Sequence, residues 1–504
     1  PLAAPCDITG CILHHRKGPA CGRGSRNRYG LFHDRLQRYS LYSMNLFLGV
    51  LFFRLLEILI IIILFRMLTL NSFSVFSLKR YRDKIVSLQP KNILFELYKL
   101  KKNLSLNMEC EISDVVSDIV IPLVFKEETS LENDNKRVLS LFSGCGGMDL
   151  GFEGGFICHK KSVNPHLDWI SEPVNDNWVR LKRTKFRTVF ANDILKDART
   201  AWVGYMRRFG YPDSIYHLDS IINLVKLHQA KCNIFPENID IVTGGFPCQD
   251  FSVSGKRKGF DSDRSHDGSI RTSDVPSEET RGKLYFWMKR VIDITKPKMF
   301  IAENVKGLVN LGNVMDIIRM DFSQADDDGY IVFDPQILNA GDYGVPETRE
   351  RVIFIGVRKN ALKDSVRKLF ESGNIPEKYN PYPIPTHGFT KKEAELLPPV
   401  VCQDIFEGLK EPEDSIDLSQ KFYSRAKYMG EHCQGQKEIS IKSLAPTIRS
   451  EHHGNIEYRR LSREHGGVIF DELDSGMVER RLTPRECALI QTFPPDCPIR
   501  ENWR

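Results

Sequence analysis

The chain lacks any Cys-x-x-Cys pair, since its 12 cysteines are scattered over 504 residues. A zinc ribbon and a disulfide scaffold are thereby excluded, and reduced thiols in a cytoplasmic protein fit best. It also lacks the Gly-x-Gly-x-x-Gly fingerprint of a pyrophosphate cradle, internal repeats, and an initiator methionine, beginning at Pro1. A general basic excess is missing too. The formal charge is +6, yet residues 1–107 hold 17 Lys+Arg against 5 Asp+Glu, and the remainder holds 54 against 60. Bulk charge therefore gives residues 108–504 no nucleic-acid signature, and any such role must rest on motifs. With 41% apolar and 27% charged residues, the composition is globular and excludes disordered and multi-span membrane classes.

The one long apolar run is LFLGVLFFRLLEILIIIILFRMLTL, residues 46–70. It is long enough to span a bilayer, but Arg54, Glu57 and Arg66 interrupt it. It starts too late for a signal peptide, and no small-residue cleavage site follows. A membrane anchor, a buried helix and translated upstream sequence outside the working protein all compete. The abrupt change in charge and pattern favours the last, with Met108 as the expected start and 1–107 as an extension.

From about residue 115 the pattern changes to short apolar runs alternating with helical periodicity. VLSLF (138–142), TVFAND (188–193), IDIVTGG (239–245), KMFIAENV (298–305) and RVIFIGVR (351–358) read as buried strands, with helical stretches such as KLYFWMKRVIDIT (283–295) between them. This alternation predicts an α/β fold with a doubly wound, mostly parallel sheet. A proline-rich stretch, 372–400, looks like a boundary. We expect a catalytic domain over 108–358, a second, smaller domain over 359–478, and a return segment over 479–504. Within the last, Thr483 caps and Pro484 opens a short helix.

Four segments carry candidate chemistry. VLSLFSGCGGMDLGF (138–152) is a strand, a glycine turn and a helix, in which Gly144, Gly146 and Gly147 permit close backbone approach to a ligand. An acid at the end of the next strand, Asp193, suits a ribose diol, so the pair points to an adenosine-containing cofactor. In GGFPCQDFSVSGKRKGF, Pro247 precedes Cys248, a cysteine on a loop beyond a strand's carboxyl end, where a nucleophile belongs. Lys256, Arg257 and Lys258 follow on a basic loop. KMFIAENV delivers Glu303 to the same sheet edge. In YGVPETRERVIFIG, period-two alternation puts Glu347, Arg349 and Arg351 on one face. Surface salt bridges, a helix cap and a buried structural cysteine are the bland readings of these residues taken singly.

Together, FSGCGGMDLGF, GGFPCQDFS, ENVKGL, YGVPETRERVIFIG and RRLTPRECALIQTFP, in that order over about 137–500, resemble the DNA cytosine-5 methyltransferases of bacterial restriction–modification systems. The resemblance implies a Rossmann-like fold and S-adenosylmethionine as cofactor. It implies cofactor contacts at Phe142, Ser143, Gly144, Gly146, Gly147, Asp193, Asp219 and Pro247. Cys248 would be the nucleophile, Glu303 would engage the target cytosine, and Arg349 and Arg351 would lie near its carbonyl. It further implies a flipped-out base, a covalent cysteine adduct, double-stranded DNA as partner, a monomer, and a cognate restriction endonuclease in the same system. The second domain would recognise the target, through LAPTIRSEHHGNIEYRRL (444–461). There Thr447, Arg449, His452, His453, Asn455 and Arg459 are types that contact base edges and phosphates, and Lys256–Lys258 would also touch DNA.

Three departures from the family pattern stand out. Glu347 occupies the family's usual Gln position. The stretch 155–186 is longer than usual and has no assigned role. The family's closing segment is missing, so the chain is expected to be truncated at its end and weak in cofactor binding. A nucleotide-binding oxidoreductase is disfavoured by the missing glycine fingerprint. A catalytically dead DNA-binding relative is disfavoured because Cys248 and Glu303 are both present, and a membrane protein with a soluble domain rests only on 46–70.

Overall fold

The structure, a computed structural model, describes residues 118, 134–247, 283–310, 313–373, 375–388, 396–423, 437–449 and 457–499. The apolar run 46–70 and Met108 lie outside the described residues. Among the described residues no helix is long and apolar enough to cross a membrane.

The strands in chain order are β1 (Lys136–Leu141), β2 (Ile157–His159), β3 (Ile170–Pro173), β4 (Trp178–Leu181), β5 (Phe186–Asp193), β6 (Tyr216–Leu218), β7 (Ile241–Gly245) and β8 (Met299–Val305). They continue with β9 (Tyr330–Val332), β10 (Gln336–Asn339), β11 (Glu347–Thr348), β12 (Glu350–Arg358), β13 (Ala445–Pro446), β14 (Tyr458–Arg460) and β15 (Arg480–Arg481). The five runs read as strands form β1, β5, β7, β8 and β12. The central sheet has the order β10-β12-β8-β7-β1-β5-β6, with β9 also on β12. From β6 to β8 the neighbours are parallel. The chain winds outward from β1 in both directions, through β5 to β6 and through β7 to β8. The crevice between β1 and β7, outside their carboxyl ends, is thus the topological switch point, where such sheets bind ligands.

β12 departs from the parallel expectation, pairing antiparallel with β8, β9 and β10. It follows β10 through a short connection, and a parallel return needs a long crossover. The sheet is mixed at this edge and parallel where the glycine turn sits.

Alternation along the strands builds two apolar faces. Leu139, Leu141, Phe190, Val242, Phe300, Ala302, Val352 and Phe354 share one core with the helices Ile221–Gln229, Leu284–Thr295 and Val314–Ser323. In the helix Leu284–Thr295, Leu284, Tyr285, Trp287, Met288, Val291 and Ile292 form the buried stripe. On the other face, Ala191 packs with Leu150 and Trp202, while Ile355 packs with Phe333, Phe370 and Tyr382. Phe370 and Tyr382 lie beyond the expected boundary at 358, so the chain still covers the sheet there.

The long stretch 155–186 forms its own antiparallel sheet, β2-β4-β3. Ile157 and Trp178 share a core with Val400, Cys402, Ile405, Ile439, Ile448, Leu482 and Leu489 from the second region and the return segment. The return helix Pro484–Ile490 starts as its sequence predicts: the Thr483 hydroxyl accepts from the Glu486 N–H, and Pro484 takes the first turn.

Candidate active site at the carboxyl edge of the sheet

β1 ends in a turn that holds three residues in the left-handed region: Phe142 (φ 52°), Gly144 (φ 54°) and Gly146 (φ 92°). For a residue as bulky as Phe142 this is strained, and such strain concentrates at functional turns. Gly146 is also required by contact, because a Cβ there would lie 2.6 Å from the Trp202 ring. The Trp202 indole N–H donates to Asp149 (2.6 Å), which fixes the first turn of the helix Gly147–Glu153. Burial pushes the Asp149 carboxyl up to about 6.

The turn is closed by β5. Asp193 accepts the Gly144 N–H at one oxygen (3.0 Å), and the Ile194 and Leu195 N–H groups at the other (2.7 and 3.0 Å). A carboxylate offers about four acceptor sites, so one remains for a diol. The exposed side chains of Ile194 and Leu195 provide an apolar wall beside it, and a Cβ at Gly144 would meet nothing within 4 Å. Ser143 bonds back to Ser140 and to the Asn192 N–H. Room above the turn, a diol acceptor and an apolar flank fit an adenosine. Asp219, just after β6, accepts from the Ser220 N–H and the Asn223 side-chain amide, while the Ser220 hydroxyl caps the helix Ile221–Gln229 by accepting the Ile222 N–H.

One strand over, β7 and β8 run in parallel register with Gly245 opposite Glu303. A Cβ at Gly245 would lie 2.9 Å from a Glu303 carboxylate oxygen, so glycine lets that carboxylate approach the strand end. Arg351 Nε pairs with the same carboxylate at 2.7 Å across the β12–β8 ladder. The buried Asn304 amide donates to the Phe246 carbonyl (3.2 Å) and so tethers the chain just ahead of Pro247. Cys248 itself lies outside the described residues, as do Lys256, Arg257, Lys258, His452, His453 and Asn455. Burial pushes the thiols of Cys145, Cys158, Cys402 and Cys497 up to about 12, which disqualifies these four as thiolates.

Arg349 and Arg351 part company. Whereas Arg351 engages Glu303, the Arg349 guanidinium donates to the Ile448 carbonyl (3.3 Å) and lies 3.8 Å from Glu347. Glu347, where the family usually has Gln, is buried and accepts the Ile448 N–H at 2.6 Å. Burial raises its pKa while Arg349 and Arg351 pull it down. Thr447 donates its hydroxyl to the Thr348 carbonyl (2.6 Å), so its donor is spent inside the protein. Arg449 is exposed next to it. Arg459 is a correction to the expected set: it pairs with Glu472 (2.8 Å) and lies over the Phe406 ring, largely buried.

Sequence reasoning missed Asn304, Asp149 and Glu153 as supports. Glu153 is fully buried and binds the Thr188 N–H (2.6 Å), the Tyr211 hydroxyl and Arg183, fastening the helix Gly147–Glu153 to β5. An acid pair four apart on a glycine-rich, apolar helix start was the available signal, and it reads equally well as a solvated face.

A family profile described as C-5 cytosine-specific DNA methylase matches residues 178–502. Type II methyltransferase M.BsuRI of Bacillus subtilis is 30% identical over 376 residues, covering 73% of this chain and 71% of that protein. Type II methyltransferase M.BspRI of Lysinibacillus sphaericus is 30% identical over 379 residues, covering 74% of each. Type II methyltransferase M.NgoFVII of Neisseria gonorrhoeae is 31% identical, covering 72% of this chain and 79% of its own length. A glycine turn tied to Asp193 and a carboxylate–arginine pair at the neighbouring strand end agree with these matches: the chain belongs to the C-5 cytosine-specific DNA methylases and is a DNA (cytosine-5-)-methyltransferase using S-adenosylmethionine.

Proposed function

We propose that Cys248 is the nucleophile of this methyltransferase and that Glu303 and Arg351 hold the target cytosine. The observation that carries this reading is the Glu303–Arg351 pair beside the strand end that leads through Pro247 to Cys248. Carbon-5 of cytosine is a weak nucleophile. Addition of the Cys248 thiolate to carbon-6 breaks the carbon-5–carbon-6 double bond and makes carbon-5 enamine-like, dividing one hard step into easier ones. Glu303 hydrogen-bonds nitrogen-3 and the exocyclic amine, where charge develops, and Arg351 holds the carbonyl oxygen. Once carbon-5 carries the methyl group, loss of its proton to a base restores the carbon-5–carbon-6 double bond as the carbon-6–sulfur bond breaks and the Cys248 thiolate leaves. A base inside a duplex cannot reach these groups, so the cytosine is flipped out.

Phe142, Ser143, Gly144, Gly146, Gly147, Asp193, Asp219 and Pro247 hold S-adenosylmethionine in this reading. When bound, it supplies an electrophilic methyl on a sulfonium. Lys256, Arg257 and Lys258 contact phosphates, while Arg449, His452, His453 and Asn455 read the sequence, with Thr447 seating that segment. Arg349 supports the site from the recognition side. In this reading the chain acts as a monomer in the cytoplasm and protects host DNA from a partner restriction endonuclease.

The test is Cys248→Ser. Methyl transfer from labelled cofactor should be abolished while gel-shift binding of DNA persists. A covalent complex with 5-fluorocytosine DNA should form with the wild type only, and near-normal turnover of the variant sinks the assignment.

A further inference from the structure

The backbone of Ile448 is gripped on both sides by one short segment. Its N–H donates to Glu347 (2.6 Å), and its carbonyl accepts from the Arg349 guanidinium (3.3 Å). The grip continues residue by residue. Ala445 N–H donates to the Pro346 carbonyl, β11 and β13 pair in parallel at Glu347–Ala445 and Thr348–Pro446, and the Thr447 hydroxyl donates to the Thr348 carbonyl. The gripping segment is itself rigid, because Arg349 N–H donates to the Asn339 side chain and the Arg349 carbonyl accepts from Ala340 N–H. Two residues on from Arg349, Arg351 holds Glu303. On the other side, Ile448 leads directly into Arg449 and the segment proposed to read DNA.

We propose that Glu347 is a positioning residue that sets the register of the recognition segment against the catalytic carboxylate, through the Ile448 peptide. Glu347 touches neither base nor cofactor; it acts through Ile448. The peptide cannot slide along β11 without breaking both of its bonds and leaving a buried N–H and a buried carboxylate unsatisfied. The place of Ile448, and of Arg449 directly after it, relative to Glu303 is thereby set, so that a cytosine reaches the site only in a duplex read correctly. This role rests on the reading of Glu303 and Arg351 given above.

The experiment uses the full chain as wild type, Glu347→Ala, Glu347→Gln and Thr447→Val. Plasmid methylated in vitro is read by bisulfite sequencing, and DNA affinity is measured separately by gel-shift. The gel-shift reads the grip without the chemistry, so failure of the catalytic reading and failure of this proposal come apart. Glu347→Ala removes the acceptor of a buried N–H. KM for DNA should rise roughly tenfold, and methylation should spread to sites one base pair away from the cognate, with kcat at the cognate site changed by less than about threefold. Glu347→Gln keeps an oxygen for Ile448 N–H and should restore site choice. A folded Glu347→Ala with wild-type affinity and site spectrum overturns the proposal, as does a Gln variant as defective as the Ala variant. If Glu347→Ala does not fold, Thr447→Val loosens the same seam from the other strand. Widened site choice then supports the proposal, and an unchanged spectrum overturns it.

Discussion

Asp149 sits fully buried beside the glycine turn after β1, four residues from another buried acid, Glu153. Its carboxyl is raised by burial to about 6, from 3.8 in an exposed chain, despite hydrogen bonds from Ser140 and Trp202 that favour the ionised form. A pKa raised by folding means that the folded state prefers the protonated acid. The stability associated with this group is therefore full below pH 3.8 and is lost as pH rises through about 6. Asp149→Asn retains an oxygen for the Trp202 indole N–H and carries no charge. We predict that it melts at higher denaturant than wild type at pH 8, by roughly 1–3 kcal/mol, and that the advantage shrinks by about 1 kcal/mol on going to pH 5. Urea melts at the two pH values check this. An advantage that does not change with pH would assign the effect to packing instead.

At the scale of elements, legibility in the sequence followed how locally each burial is determined. The buried strands β1, β5, β7, β8 and β12 announce themselves because both faces are covered, so their apolar runs are continuous. The helix Pro484–Ile490 was legible because its cap lies within four residues of its start. The direction of β12 was not legible, since it depends on a connection rather than on composition. The β2-β4-β3 sheet was opaque for a different reason: what covers Ile157 and Trp178 comes from residues more than 200 positions later. Of the candidate site, Glu303 and the glycine turn were read from strand ends, and Arg351 from period-two alternation. Asn304 and Glu347 act through backbone groups that no side-chain pattern reveals. Trp178 is buried in that shared core, whereas Trp169 on the same sheet's rim is 55% exposed. Trp178→Ala should cost about 3–5 kcal/mol and increase proteolytic nicking between 359 and 478, while Trp169→Ala should change stability by less than about 0.5 kcal/mol. Equal effects of the two in denaturant melts would show that the small sheet does not brace the second region.

Across the whole molecule, the return segment joins the region after 358 to the glycine turn that follows β1, and charge is what seats it. Arg480 is buried between Glu486 (2.8 Å) and Glu411 (3.2 Å), Arg460 pairs with Glu411 and Glu472 (2.6 and 2.5 Å), and Arg485 pairs with Asp417 (2.6 Å). The same segment then carries Phe493 to the glycine turn, 3.5 Å from where a Cβ on Gly147 would stand, and Asp496 to Arg208. Burial alone would raise the Glu486 pKa, but Arg480 and the Thr483 N–H outweigh it and hold the carboxyl below its ordinary value. A pKa lowered by folding contributes stability above the ordinary value of 4.5 that is lost as pH falls through the folded one. Glu486→Ala removes a cap and leaves the buried Arg480 guanidinium with Glu411 alone of its two carboxylates, so it should destabilise by about 3 kcal/mol at neutral pH and by less in acid. Because Phe493 follows on the same segment, the variant should also weaken S-adenosylmethionine binding by at least about threefold in calorimetry, although no residue near Glu486 belongs to the cofactor set. Glu413→Ala, on an exposed acid of the same region, is the control and should stay within about 0.5 kcal/mol of wild type with unchanged cofactor affinity. A folded Glu486→Ala variant that binds the cofactor as tightly as wild type would show that the glycine turn is shaped without the return segment.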